Sequence, residues 1–302
     1  MHSSRFDSPA FVIGCIRSGT TLLAELLGQS PGIVHCPFEL KHIWSSVGGV
    51  PMASPRTRDT ICEASSATEV RPGQAEALSR AFVAEMRKHS AGKRSDALFL
   101  NKNPHLSYKL PMVDALFPDA RFIWISRPFP QVVASIKRLF EQSPERSQTW
   151  HYWPTPNPQR NARCWYNIHQ KEFPNERDLA RVFPGGNISY FAEYWLETNR
   201  AVADYLGTLP DERGLMVLEE DLIRDPDAEI ARCLAFLGQP AHRSFDLNRT
   251  VDPTRNEGWE AVLSEQEHMS LQECVNTHQS EIEAILALGI RKRPSPRPSG
   301  QD

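Results

Sequence analysis

The chain has 302 residues, 40% of them hydrophobic and 24% charged, which suits a soluble protein with a substantial core. Its 34 basic and 37 acidic residues leave a net charge of −3, so no global basic field draws it to nucleic acid and any anion site must be local. No apolar run approaches the roughly 18–20 residues that span a bilayer, and the N-terminal stretch lacks a cleavage site, so the expectation is a cytoplasmic protein without membrane contact.

The first element is "AFVIGCI" (10–16), a continuous apolar run rich in β-branched residues, as a buried parallel strand reads. "TTLLAELLGQ" follows with helical spacing and stops near Gly28. Residues 44–72 are loop-rich, and 73–92 form an amphipathic helix closed by a glycine turn. "ALFLNK" (97–102) is a second strand, "SYKLPMVDALFP" a helix interrupted by proline, and "RFIWIS" (121–126) a third strand with the helix "PQVVASIKRLF" after it.

Residues 141–187 break this alternation with prolines, asparagines and the aromatics Trp150, Tyr152, Trp153, Trp165 and Tyr166. Further on, the spacing predicts a helix over 190–207, a strand over 214–222, a helix over 227–238 and a last helix through "EQEHMSLQECVNTHQSEIEAILALG". The tail 291–302 is basic and rich in proline and serine, which predicts disorder. Strands alternating with helices predict one α/β domain over 1–290, a P-loop-type parallel sheet with helices on both faces and an aromatic-rich insertion. Six scattered cysteines without a C-x-x-C pair suit buried free thiols rather than disulfides or a metal site.

"GCIRSGTT" keeps the glycine spacing of a phosphate-binding loop, but Thr20 stands where a nucleotide hydrolase needs lysine. A strand, a glycine loop and a helix N-terminus converge backbone N–H groups on one point; Arg17 adds a charge there, and Thr20 and Thr21 add hydroxyls. The plain alternative is a glycine turn with a threonine cap. Arg127 ends the third strand and Ser135 lies eight residues on, within the next helix. Ligands of open parallel sheets bind at the carboxyl ends of strands, so the loop and Arg127 are expected to face one crevice and hold two separated phosphates.

"RSGTT" and "RPFPQVVAS", with "EEDLIRDP" and "LAFLG" further on, make the sequence resemble sulfotransferases that use 3′-phosphoadenosine 5′-phosphosulfate (PAPS). The resemblance runs from about residue 10 to 240, outside the insertion. It implies that Arg17, Ser18, Gly19, Thr20 and Thr21 grip the 5′-phosphosulfate without a metal. It also implies that Arg127 and Ser135 grip the 3′-phosphate, leaving the product 3′-phosphoadenosine 5′-phosphate (PAP). In detail the chain is similar to the tyrosylprotein and carbohydrate branches, which makes Glu39 of "HCPFEL" a candidate base and Lys102 of "LNKNPH" the contact for developing charge. His105 is the competing base, as in the phenol and steroid branch, although "KNPH" is one residue longer than that branch's segment.

The resemblance also has gaps. Cys36 keeps one half of a disulfide of the tyrosylprotein enzymes, but Leu100 stands at the other half; Leu218 replaces a tyrosine before "EDL". Arg138 and Arg255 are both candidates for a basic residue that closes over the 3′-phosphate. The implied acceptor is a hydroxyl of a small molecule, natural product or glycan, with the insertion's aromatics either stacking on it or merely packing their own loop. Two other classes stay open: a P-loop kinase-like phosphotransferase, and an inactive nucleotide-binding protein.

Overall fold

The structure is a computed structural model that describes residues 6, 8–50, 65–142, 188–241 and 253–291. Five parallel strands, β1 (Ala10–Ile13), β2 (Ile33–Cys36), β3 (Leu98–Lys102), β4 (Arg121–Ser126) and β5 (Gly214–Leu218), form one sheet in the order β2-β3-β1-β4-β5. β1 is therefore central, with Ala10 in register with Leu100 on one side and Arg121 on the other.

Both faces of this sheet are buried, and the strands' period of two divides their side chains between two cores. Ala10, Val12, Leu100, Ile123, Ile125, Leu215 and Val217 meet Leu22, Leu23, Leu26 and Leu27 of α1 (Thr20–Gln29). Phe11, Ile13, Phe99, Phe122, Trp124 and Met216 belong to the opposite core. That side is covered by α2 (Gln74–Lys88), α3 (Leu110–Leu116), α4 (Phe129–Gln142) and α5 (Ile188–Thr208). Phe11, Trp44, Phe82, Phe99 and Phe117 stack there with ring centroids 4.9–6.4 Å apart. The α/β class, the parallel sheet and the helices on both faces are as expected.

Boundaries differ from expectation at several points. The first strand stops at Ile13, not residue 16, because Gly14 turns at φ 139°. β2 lies in a stretch without a predicted strand, so "ALFLNK" is the third strand in chain order. The helix expected over "SYKLPMVDALFP" splits into a 3₁₀ turn at Pro104–Tyr108 and the short α3. The strand expected over 214–222 ends at Leu218, and Glu219–Arg224 is a helix, α6, with Glu219, Glu220 and Asp221 in its first turn. Acidic residues there complement the positive end of the helix dipole.

α7 (Pro226–Phe236) and α8 (Glu265–Arg291) complete the chain, α8 running one residue into the predicted tail. The rest of that tail and the aromatics at 150–166 lie outside the described residues, while Glu141 and Gln142 belong to α4. Among the described cysteines, Cys15, Cys36, Cys233 and Cys274 are free thiols. No described helix is long and apolar enough to cross a membrane.

Candidate active site

The carboxyl edge of the sheet gathers the chemistry. β1 leads into the loop 14–19, β3 ends on Lys102, β4 leads to Arg127 and β5 to Glu219, while Glu39 follows β2 by three residues.

The loop is built to leave a strand and enter a helix within a few residues. Gly14 (φ 139°) and Gly19 (φ 89°) take backbone angles that L side chains rarely adopt. At Gly14 a Cβ would lie 2.3 Å from the carbonyl oxygen of Ile125, so the loop runs against β4 with no room for a side chain. Ser107 fixes the same residue twice: its hydroxyl accepts from Gly14 N at 3.1 Å and donates to Gly14 O at 3.2 Å. Arg17 itself is left-handed at φ 64°, a conformation costing on the order of 1–2 kcal/mol.

Arg17, Gly19, Thr20, Thr21, Leu22, Arg127, Glu219 and Glu25 line one pocket of about 230 Å³. Gly19 precedes α1, whose first N–H groups have no intrahelical acceptor and carry the positive end of the helix dipole. Thr20 is buried and Thr21 exposed; Ser18 is fully buried beneath the loop. Arg17 Nε donates to Ser135 Oγ at 3.1 Å, and Arg127 Nη1 donates to the main-chain oxygen of Arg17 at 3.1 Å. The two motifs thus meet as expected. Two cationic side chains, hydroxyls and a helix N-terminus around one cavity match the donor set of a phosphate site.

Arg138 does not join them: it is exposed on α4 and does not line the pocket. The main chain of Arg255 lies in the turn Pro253–Asn256, and its side chain is outside the described residues. Its neighbour Asn256 reaches the site, 2.5 Å from Arg127 Nη2 and 2.7 Å from Glu219 Oε2.

Glu39 and Lys102 form the second group, an ion pair with Nζ 2.5 Å from Oε1. Burial alone would raise the Glu39 carboxyl, but the charge and hydrogen bond of Lys102 outweigh it and hold the pKa below the ordinary value. Phe38 and Leu40, on either side of Glu39, both take left-handed angles (φ 64° and 50°). Two asparagines hold this turn: Asn101 Nδ2 donates to Phe38 O at 3.4 Å, and Asn103 Nδ2 donates to Glu39 O at 2.9 Å. Glu39 thereby turns inward and Phe38 outward, 79% exposed.

His105 stands in the 3₁₀ turn after Lys102, half-buried. Burial first, then the charges of Lys41, Lys102 and Lys109, push its pKa well down, so the ring is neutral at pH 7. Three polar residues that make contacts here had no place in the sequence reading: Asn103, Glu219 and Asn256. Polar residues closing an apolar strand ("LNKN") are a signal for Asn103, and the acidic run "EEDL" for a helix start at Glu219. Nothing local marks Asn256.

The family model described as "Sulfotransferase family" matches residues 9–185. Among solved structures, a sulfotransferase from Alicyclobacillus acidocaldarius superposes with a TM-score of 0.55 at 18% identity, covering 95% of this chain and 97% of that one. The sulfotransferase domain from the curacin biosynthetic pathway gives 0.50 at 15% identity, covering 91% and 99%. These likenesses are of fold. No curated protein matches the sequence.

Proposed function

Because the chain belongs to the sulfotransferase family, we propose that it moves the sulfuryl group of PAPS to a hydroxyl of a small-molecule, natural-product or glycan acceptor. The observation that carries this reading is the pocket in which Arg17 and Arg127 converge from neighbouring strand ends. A donor with a 5′-phosphosulfate and a 3′-phosphate needs two anion contacts held a fixed distance apart, and strand spacing provides that.

The roles follow from position. Arg17, Thr20, Thr21 and the N–H groups opening α1 hold the 5′ side, while Arg127 and Ser135 hold the 3′-phosphate. Lys102 faces the bridging oxygen and answers the charge that develops there. Glu39 accepts the acceptor's proton as its oxygen bonds to sulfur, and the electron pair of the breaking S–O bond leaves with PAP. Lys102 is paired with Glu39. Engagement of Lys102 by the donor releases the carboxylate for its task. His105 is the alternative base, its ring kept neutral by burial and by the charges of Lys41, Lys102 and Lys109. Phe38 offers an exposed ring beside Glu39 and suits an acceptor with an apolar face.

The test is turnover of labelled PAPS against a library of hydroxyl acceptors, beside calorimetry with PAP, ATP and GTP, each with and without magnesium. Transfer of label with metal-independent PAP binding is expected. Magnesium-dependent binding of ATP or GTP instead would make the protein a phosphotransferase, and PAP binding with no transfer to any acceptor would make it a binding protein.

A further inference from the structure

Arg127 is only 4% exposed, so its charge depends on what surrounds it. Nη1 is held by the Arg17 carbonyl at 3.1 Å. Nε lies 3.3 Å from Gln131 Oε1 and 3.4 Å from Glu219 Oε1, and Nη2 donates to Asn256 Oδ1 at 2.5 Å. Asn256 also donates from Nδ2 to Glu219 Oε2 at 2.7 Å. Guanidinium, carboxylate and amide therefore close a three-membered ring of hydrogen bonds and charge.

Each member suits its place for a chemical reason. A carboxylate lining an anion pocket opposes phosphate, so Glu219, 2% exposed, is out of place there unless it does something else. It neutralises and aims the guanidinium. Its Cγ also backs the loop, 3.1 Å from where a Cβ on Gly19 would stand. Asn256 has to accept from a cation at one end and donate to an anion at the other, which an amide does and neither an ionised carboxylate nor a hydrocarbon can.

We propose that Glu219 and Asn256 are positioning residues that set Arg127 for recognition of the 3′-phosphate, and that Asn256 ties the turn Pro253–Asn256 to that recognition. The proposal rests on reading the pocket as a PAPS site. Its substance is the pairing of one acid with one amide around Arg127, at positions 219 and 256.

The pairing is tested by exchanging the two ends. Asn256→Asp sets a second carboxylate against Glu219, whereas Glu219→Gln combined with Asn256→Asp swaps acid and amide at unchanged net charge. Affinities for PAP and for adenosine 5′-monophosphate, which lacks the 3′-phosphate, are measured by calorimetry, with a melting curve for each variant. The ratio of the two affinities reads 3′-phosphate recognition. We expect Asn256→Asp to lower that ratio by about 10- to 100-fold and the double exchange to return it to within about threefold of the wild type.

A single variant with the wild-type ratio, or a folded double variant no better than the single one, overturns the proposal. Should Asn256→Asp fail to fold, Asn256→Ala replaces it, with a lowered ratio expected and an unchanged ratio fatal. A wild-type protein with no preference for PAP defeats the underlying reading of the pocket and this proposal with it. A wild-type preference that survives in all variants defeats only the proposal.

Discussion

Arg17 Nε donates to Ser135 Oγ across 3.1 Å, joining the loop after β1 to α4 although 118 positions separate them in sequence. Loop and helix thus share a hydrogen bond at the point where the two halves of a bisphosphorylated nucleotide would be read.

Arg17→Ala is expected to weaken PAP binding by roughly ten- to a hundredfold, the worth of about 1.5–3 kcal/mol for a charged hydrogen bond to phosphate. Calorimetry with and without magnesium checks this, and PAP affinity in the wild type is expected not to depend on the metal. Arg127→Ala and Ser135→Ala should instead lower the preference for PAP over adenosine 5′-monophosphate. If both keep that preference, the 3′-phosphate lies elsewhere.

Glu39→Gln keeps shape and removes the proton acceptor, so turnover is expected to fall by roughly 10² to 10⁴ with PAP affinity nearly unchanged. His105→Ala is the control: loss of transfer there, with Glu39→Gln still active, would move the base to His105.

The same pair predicts a pH effect. Lys102 holds the Glu39 carboxyl below its ordinary pKa against the opposing pull of burial. With Lys102→Met the two contributions of Lys102 are gone and burial is opposed only by Lys41 and a backbone hydrogen bond, so the carboxyl rises. Residual turnover in that variant should lose its acid limb at a higher pH than the wild type does. An acid limb that stays in place in Lys102→Met would separate Glu39 from the proton transfer.

Gly14→Ala adds a methyl group where the carbonyl oxygen of Ile125 lies 2.3 Å away, at a backbone angle that alanine rarely adopts. The loop must leave β4 or the strands must part. Loss of PAP binding together with a lower melting temperature is expected; a variant with native affinity would show that the loop tolerates a different path.

His35 is held neutral in the fold, its pKa lowered to about 4 by burial first and then by Lys102, His89 and Lys93. Unfolded, it takes a proton near pH 6.5. Falling pH therefore favours the unfolded chain from about 6.5 downward, with the effect complete near pH 4, at most about 3 kcal/mol from this group. Denaturant titrations between those values should show a shallower loss in His35→Gln than in the wild type.

Much of this was legible in the sequence because the determinants are local. "RFIWIS" bounds β4 correctly, and "TTLLAELLGQ" matches α1 residue for residue, since continuous apolar runs and helical spacing need only near neighbours. β2 was not legible: "IVHC" is four residues long, with a histidine within it, and becomes a strand only by pairing with β3 from Leu98 onward. Arg17 and Arg127 could be placed at strand ends from the pattern alone. Asn256 could not, because its contacts are with Arg127 and Glu219, both distant in sequence. Arg138 and Arg255 were the candidates for a closing charge; the contact to Arg127 described in that turn comes from the uncharged Asn256.

The central place of β1 bears on how the chain comes together. β1, the first of the five strands in chain order, pairs with segments about a hundred positions later on both its sides. During synthesis its hydrophobic edges stay without a sheet until β3 and β4 have emerged, and such distant pairings are slow to close. Arg17 and Arg127 meet only when that closure is complete. A nucleotide can therefore reward the finished sheet but cannot guide its early assembly. Added PAP is expected to slow unfolding while leaving the first refolding phase at its original rate, as stopped-flow fluorescence of the buried Trp124, packed under the same closure, would record.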